Sequence, residues 1–205
     1  MDKKITENVS LHSYLRKVHR LRSRNYLLPR AVGIDRKGLA KMYYHLKLNK
    51  GVEIGTREGK HALILCENNP NIELTCIDPW SPEGRWNEEY QTLFYNRTVE
   101  RLSPYNAKLL KKTSMEALND FEDESLDFIH IDGNHTFDYV CQDIICWSRK
   151  VRPGGIVSAH DYINAKLVGV IKAIDAYTHC HHIDPWYVSR ERKARSAFWE
   201  RPEKL

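Results

Sequence analysis

The chain has 205 residues, is 41% hydrophobic and carries a formal net charge of +5, which suits one domain built around a single core. No apolar run approaches the roughly 20 residues of a membrane span, and the polar, basic start does not read as a signal peptide, so a cytoplasmic protein with no membrane attachment is expected. Cys66, Cys76, Cys141, Cys146 and Cys180 form no CxxC pair; three of them lie in apolar runs, as reduced core thiols do.

Residues 12–30 concentrate the positive charge in Arg16, Lys17, His19, Arg20, Arg22, Arg24 and Arg30, with Tyr14 and Tyr26 interleaved. Leu11, Leu15, Val18 and Leu21 recur at helical spacing and are expected to face the core, leaving the basic residues solvated. The other reading of the same segment is a phosphate-binding surface for nucleic acid. Pro29 and Gly33 then break the chain before a second helix over about 35–48.

The run Val52-Glu53-Ile54-Gly55-Thr56-Arg57-Glu58-Gly59 leads into His61-Ala62-Leu63-Ile64-Leu65. It predicts a buried parallel strand turning sharply into a helix, with the glycines placed for ligand approach or for steric reasons of the turn itself. A second apolar run, 72–77, ends in Asp78, a little over 20 residues beyond Gly55, where a carboxylate accepts from ribose hydroxyls. An aromatic-rich stretch follows, with Trp80, Trp86, Tyr90, Phe94 and Tyr95. Trp80 is expected beside the ligand and the others in the core or loop; a helix is expected over 87–102. A third run, 126–131, ends in Asp132-Gly133-Asn134-His135 and is followed by a helix over 137–150. After the turn Arg152-Pro153-Gly154, a fourth run, 155–159, ends in His160-Asp161-Tyr162. One terminal acid could cap a helix, but three together with a glycine turn point to a ligand site at the carboxyl ends of a parallel sheet. A helix over 167–177 and two closing strands, 186–188 and 197–199, complete the chain. The cluster His179-Cys180-His181-His182 lacks tetrahedral metal spacing and reads as a loop.

This order of motifs resembles the class I S-adenosylmethionine-dependent methyltransferases, and within them a family of small bacterial and viral O-methyltransferase-like domains. The resemblance rests on Glu-Ile-Gly-Thr-Arg-Glu-Gly at 53–59, Ile-Asp-Gly-x-His at 131–135 and Arg-Pro-Gly-Gly running on to His-Asp-Tyr within 152–162, and it covers about residues 38–200. It implies an α/β, Rossmann-like fold: a seven-stranded, mostly parallel sheet with an antiparallel last strand and helices on both faces. The domain would occupy residues 35–205, with residues 1–34 a basic helical extension. It also implies that Glu53, Gly55, Thr56 and Gly59 shape the methionine end of an S-adenosylmethionine pocket. Asp78 would hold the ribose, Trp80 and Asp132 would border the cofactor, and Ser114, after a short strand, would meet the adenine or cap the next helix.

Asp132 and Asp161 end neighbouring strands in such a fold, so their carboxylates lie about 5 Å apart and need positive charge between them to stay ionised. The chain is more distantly similar to catechol and caffeoyl-CoA O-methyltransferases, whose metal ligands follow these two strands, and this implies Mg2+ or another divalent cation on Asp132 and Asp161. It departs from that pattern at Tyr162, which stands where an amide ligand is expected. His135 is placed to act as general base or ligand, and His160 as ligand, base or support for Asp161. The expected activity is methyl transfer to the hydroxyl of a small molecule or sugar, with Asp132, His135 and Asp161 catalytic. An RNA or nucleotide-sugar methyltransferase using the basic N-terminus, and a non-catalytic cofactor-binding scaffold, are the alternatives. The absence of an Asp/Asn-Pro-Pro-Tyr/Phe run argues against base N-methylation.

Overall fold

The computed structural model describes residues 9–19, 29–165, 168–191 and 194–205. Its strands are β1 (Arg30–Val32), β2 (Lys50–Ile54), β3 (Glu73–Asp78), β4 (Ala107–Lys111), β5 (Leu126–Ile131), β6 (Val151–Ala159), β7 (Trp186–Ser189) and β8 (Ala197–Glu200). Its helices are α1 (Leu11–His19), α2 (Arg36–His45), α3 (Lys60–Asn68), α4 (Glu88–Leu102), α5 (Ser114–Ala117), α6 (Phe137–Ser148) and α7 (Val170–Cys180). The strands form one sheet in the order β1-β7-β8-β6-β5-β2-β3-β4. Every neighbouring pair is parallel except those made by β8, which runs antiparallel to β6 and β7. The Rossmann-like class expected from the motifs is the class found. Its strand count is eight because Arg30–Val32, preceded by a proline and followed by a glycine, pairs with β7 at the sheet edge.

The central strands are apolar on both faces, as parallel strands covered by helices must be. Side chains alternate across the sheet. Ile129, Ile131 and Val157 pack with Val140, Ile144 and Trp147 of α6 and Ile174 of α7, while Phe128, Ile156, Cys76 and Leu74 pack with Leu15 of α1, Leu39 and Tyr43 of α2 and Leu65 of α3. Local signals set the helix starts. Asp35 caps α2 by accepting from the Gly38 N–H at 2.7 Å. Asn87 caps α4 through the Tyr90 N–H at 3.1 Å, with Glu88 and Glu89 favourably placed in its positive first turn. Thr113 and Glu116 form a reciprocal capping box on α5.

Three local expectations change. On α1, Leu11, Tyr14 and Leu15 are buried but Val18 is 51% exposed; Arg20, Leu21, Arg22, Arg24 and Tyr26 lie outside the described residues. The segment Arg152-Pro153-Gly154 is part of β6, not a turn before it; the register with β5 shifts between Leu126 and Phe128, and such irregularities accommodate proline in a strand. The last helix is displaced toward the C-terminus, so His179 and Cys180 belong to α7 and not to a loop. No helix among the described residues is long and apolar enough to cross a membrane.

Candidate active site

The strand order reverses between β2 and β5: β3 and β4 lie to one side, β6 to the other. A crevice is expected beyond the carboxyl ends at such a switch point. A cavity of about 790 Å³ opens there. Both glycines of the β2–α3 turn have positive φ, +86° at Gly55 and +70° at Gly59. A β-carbon on Gly55 would lie 2.2 Å from the Asp132 carbonyl oxygen, and one on Gly59 would lie 3.0 Å from Thr98 Cγ2. Close packing of the protein on itself therefore accounts for both glycines, and only Gly55 lines the cavity.

The first wall is polar and incompletely satisfied. Glu53, 2% exposed, accepts from His61 Nδ1 at 2.9 Å through Oε1, while its Oε2 has no partner among the described residues. Thr56 Oγ1 and His61 Nε2 are likewise buried and unpartnered. Asp78 accepts the Trp80 N–H at 2.8 Å on Oδ1 and the Arg57 N–H at 2.8 Å on Oδ2. Burial pushes its carboxyl up, against these two bonds, and each oxygen keeps a lone pair for a ligand hydroxyl. Trp80 is not where the sequence places it. Its indole is buried, donates Nε1–H to the Arg57 carbonyl at 2.8 Å and meets Tyr95 edge-on, outside the cavity wall. Trp86 and Phe94, expected in loop or core, line the cavity instead, with the Arg57 guanidinium 4.7 and 4.9 Å from their rings. Ser114 lies on the opposite wall with Thr113 and Asp143.

The second wall holds a charge cluster. His135 stands between the two strand-end carboxylates, with Nε2 3.2 Å from Asp132 Oδ1 and Nδ1 3.2 Å from Asp161 Oδ2. His160 Nδ1 lies 3.3 Å from Asp132 Oδ1 and 3.1 Å from Asp161 Oδ1. Arg36 Nη2 is 3.5 Å from Asp132 Oδ2. Burial alone would raise Asp132, but its bonds to His135 and His160 hold the carboxyl far below the ordinary range. The bond from His160 holds Asp161 low as well, and the bond to Asp132 raises His135. Burial opposes protonation of His160, yet its two carboxylate neighbours outweigh burial and Arg36 and carry it up to about 9. That value conflicts with the 2.6 Å approach of Arg36 Nη2 to His160 Nε2. A guanidinium can only donate, so in this arrangement Nε2 is an acceptor and His160 is the neutral Nδ1–H tautomer. With Nε2 accepting from Arg36, the ring carries its one proton at Nδ1, toward the two carboxylates.

Asp132, His135 and Asp161 each offer one ligand atom, all within 4.8 Å of one another, a spacing at which the three could hold a metal ion. Tyr162 takes no part. It turns away from the cavity, donates its hydroxyl to Asp175 at 2.8 Å and packs edge-on against Trp186. Sequence reasoning missed Arg36, His61 and Asp143 as cavity residues. Arg36 begins a helix with no motif around it, and His61 and Asp143 sit inside amphipathic runs where nothing local distinguishes a cavity-facing position from a core one.

A family model described as a methyltransferase domain matches residues 52–162, more than half of the chain. The uncharacterized protein y4gI of Sinorhizobium fredii (strain NBRC 101917 / NGR234) is 31% identical over a 129-residue alignment that covers 58% of this chain and 14% of that protein; the chain thus spans only a small part of that curated relative's length. Among solved structures, the O-methyltransferase TomG of Streptomyces achromogenes, involved in tomaymycin synthesis and crystallised with S-adenosylmethionine, aligns with a TM-score of 0.59. It is 13% identical, over 80% of this chain and 78% of that one. The N-methyltransferase NodS of Bradyrhizobium japonicum WM9 aligns with a TM-score of 0.59 at 16% identity, over 82% and 95%. A putative caffeoyl-CoA O-methyltransferase of Staphylococcus aureus aligns with a TM-score of 0.57 at 12% identity, over 91% and 89%. At these identities the structures share the fold and nothing finer.

Proposed function

Because this chain belongs to the methyltransferase-domain family, we propose that it uses S-adenosylmethionine to methylate a hydroxyl of a small molecule or sugar, assisted by a divalent cation. The cavity residues fit the cofactor: Glu53 Oε2 and Thr56 Oγ1 are buried acceptors without partners beside the glycine turn, suited to an α-ammonium group, and Asp78 retains lone pairs for ribose hydroxyls. When bound, the cofactor supplies a methyl group on a sulfonium, which leaves with the carbon–sulfur electron pair as a neutral thioether.

The observation that carries the reading is the pairing of that half-satisfied wall with the Asp132–His135–Asp161 cluster across one cavity. Asp132, His135 and Asp161 would hold the cation, whose charge makes an acceptor hydroxyl more acidic. Asp132 and Asp161, kept ionised, orient the hydroxyl. His160, neutral at Nδ1–H and held by Arg36, fixes both carboxylates. With both carboxylates and His135 engaged by the cation, the hydroxyl proton would be lost to solvent at the cavity mouth as oxygen gains the methyl group.

A second reading dispenses with the metal. Arg36 and an imidazolium at His135 already place positive charge against both carboxylates, so His135 would take the hydroxyl proton after losing its own. Transfer of labelled methyl from S-adenosylmethionine to pooled metabolites, with RNA as the competing acceptor, tests the activity. Chelation with EDTA is expected to abolish turnover, to leave cofactor affinity nearly unchanged, and to be reversed by Mg2+. Full turnover in excess EDTA refutes the cation and leaves the histidine mechanism, and methylation of RNA alone refutes the small-molecule acceptor.

A further inference from the structure

Asp143 is the least explained ionisable group in the cavity. On α6 the buried positions are Val140, Asp143, Ile144, Trp147 and Ser148, so Asp143 occupies a place on the core-facing stripe that an apolar side chain would ordinarily fill. It is 3% exposed. Among the described residues it has no ion-pair partner; burial pushes the carboxyl up to about 6, and the Ser114 hydroxyl offsets this only in part. A buried carboxylate without a cation is costly unless donors reach it. This one lies in the cavity wall beside Ser114, with Oδ2 3.9 Å from the point a β-carbon on Gly133 would occupy.

The topology says which part of the cofactor comes near it, given the cofactor reading above, on which this inference rests. The amino-acid end belongs at Glu53 and the β2–α3 turn, and the ribose at Asp78 on the end of β3. The next strand outward is the edge strand β4, whose end leads into Thr113 and Ser114. The nucleobase therefore extends from Asp78 toward Ser114, and Asp143 borders that end of the cavity. An ionised carboxylate only accepts hydrogen bonds. Of the purine edges, a 6-amino group satisfies it, whereas a 6-oxo group would set oxygen against oxygen.

We propose that Asp143 reads the exocyclic amine of the cofactor's adenine, accepting a hydrogen bond from N6–H, and thereby selects adenine over 6-oxo purines. Calorimetric titration with S-adenosylhomocysteine and S-inosylhomocysteine tests this. Wild type is expected to prefer the adenosyl compound by about 10- to 100-fold, the worth of a hydrogen bond to a buried charged group. Asp143→Asn is nearly isosteric and removes a buried charge, and its amide can rotate to offer oxygen to an amine or N–H to a carbonyl. It is expected to bind both compounds within roughly threefold of each other. Equal affinity of wild type for the two compounds overturns the proposal, as does retention of the full preference by Asp143→Asn. No binding of S-adenosylhomocysteine by wild type overturns this inference together with the cofactor reading, whereas binding without preference overturns this inference alone.

Discussion

Asp78 shows one side chain committed in two directions. Its oxygens accept backbone N–H groups of Arg57 and Trp80, which tie the β2–α3 turn to the end of β3. The same oxygens retain lone pairs facing the cavity. Asp78→Ala is expected to weaken S-adenosylhomocysteine binding by about 1.5–3 kcal/mol, the cost of losing a charge-assisted contact. Calorimetry settles it, and unchanged affinity would restrict Asp78 to its backbone role. Sequence spacing placed Asp78 at the end of its strand, where it lines the cavity, because a strand-end acid is a local signal. It placed Trp80 wrongly because a residue two positions later has its direction set by backbone: φ at Trp80 is +39°, and this turns the indole under the Arg57 carbonyl, leaving the cavity face to Trp86.

At the scale of elements, Gly55 in the β2–α3 turn and Gly84 in the loop between β3 and α4 separate two reasons for glycine. Gly55 combines a positive φ with backbone of the β5 end where its β-carbon would go, whereas Gly84 has φ +56° and nothing within 4 Å. Gly55→Ala is therefore expected to destabilise the protein by about 3–5 kcal/mol, from strain plus overlap that must push β2 and β5 apart. Gly84→Ala should cost about 1–2 kcal/mol from strain alone. Urea unfolding of the two variants measures the difference; equal losses would mean that the strand ends yield easily. The contrast matters for the site because the turn and Asp132 are held in register by that contact. Displacing it moves the β2–α3 wall of the cavity relative to the charge cluster.

For the molecule as a whole, a buried polar chain makes stability depend on pH. Ser158 Oγ donates to the Ile129 carbonyl at 2.9 Å, so toward Tyr43 and His130 it can only accept. His130 is then the Nδ1–H tautomer, with Nε2 buried and without a partner among the described residues. Burial above all, and then its neighbour His61, hold its pKa well below 6.5. The unfolded chain takes up a proton near pH 6.5 that the folded chain refuses, so this group lowers stability as pH falls below about 6.5 and has no effect above it. His130→Asn keeps an N–H for Ser158 and does not titrate. Between pH 7.5 and 5.5 its urea midpoint is expected to fall less than that of wild type, and parallel curves would show that His130 is protonated in the fold.

What the sequence determined by itself is what short-range chemistry encodes. Apolar runs of strand length ending in Asp78, Asp132 and Asp161 specified a parallel sheet with acids at one edge, because alternation, burial on both faces and strand-end punctuation are all local properties. The helix caps at Asp35, Asn87 and Thr113 also rest on local chemistry, although the sequence offered Ser114 as the cap of α5 and the structure places it one residue earlier, at Thr113. What only the tertiary structure decided is which charges meet. Arg36 reaches Asp132 and His160 from a helix far earlier in the chain, and α6 aims Asp143 at the end of β4. These pairings follow from crossovers that bring distant strand ends to one crevice. Side chains then arrive there according to helix rotation and backbone φ, neither of which a spacing pattern in one segment can carry.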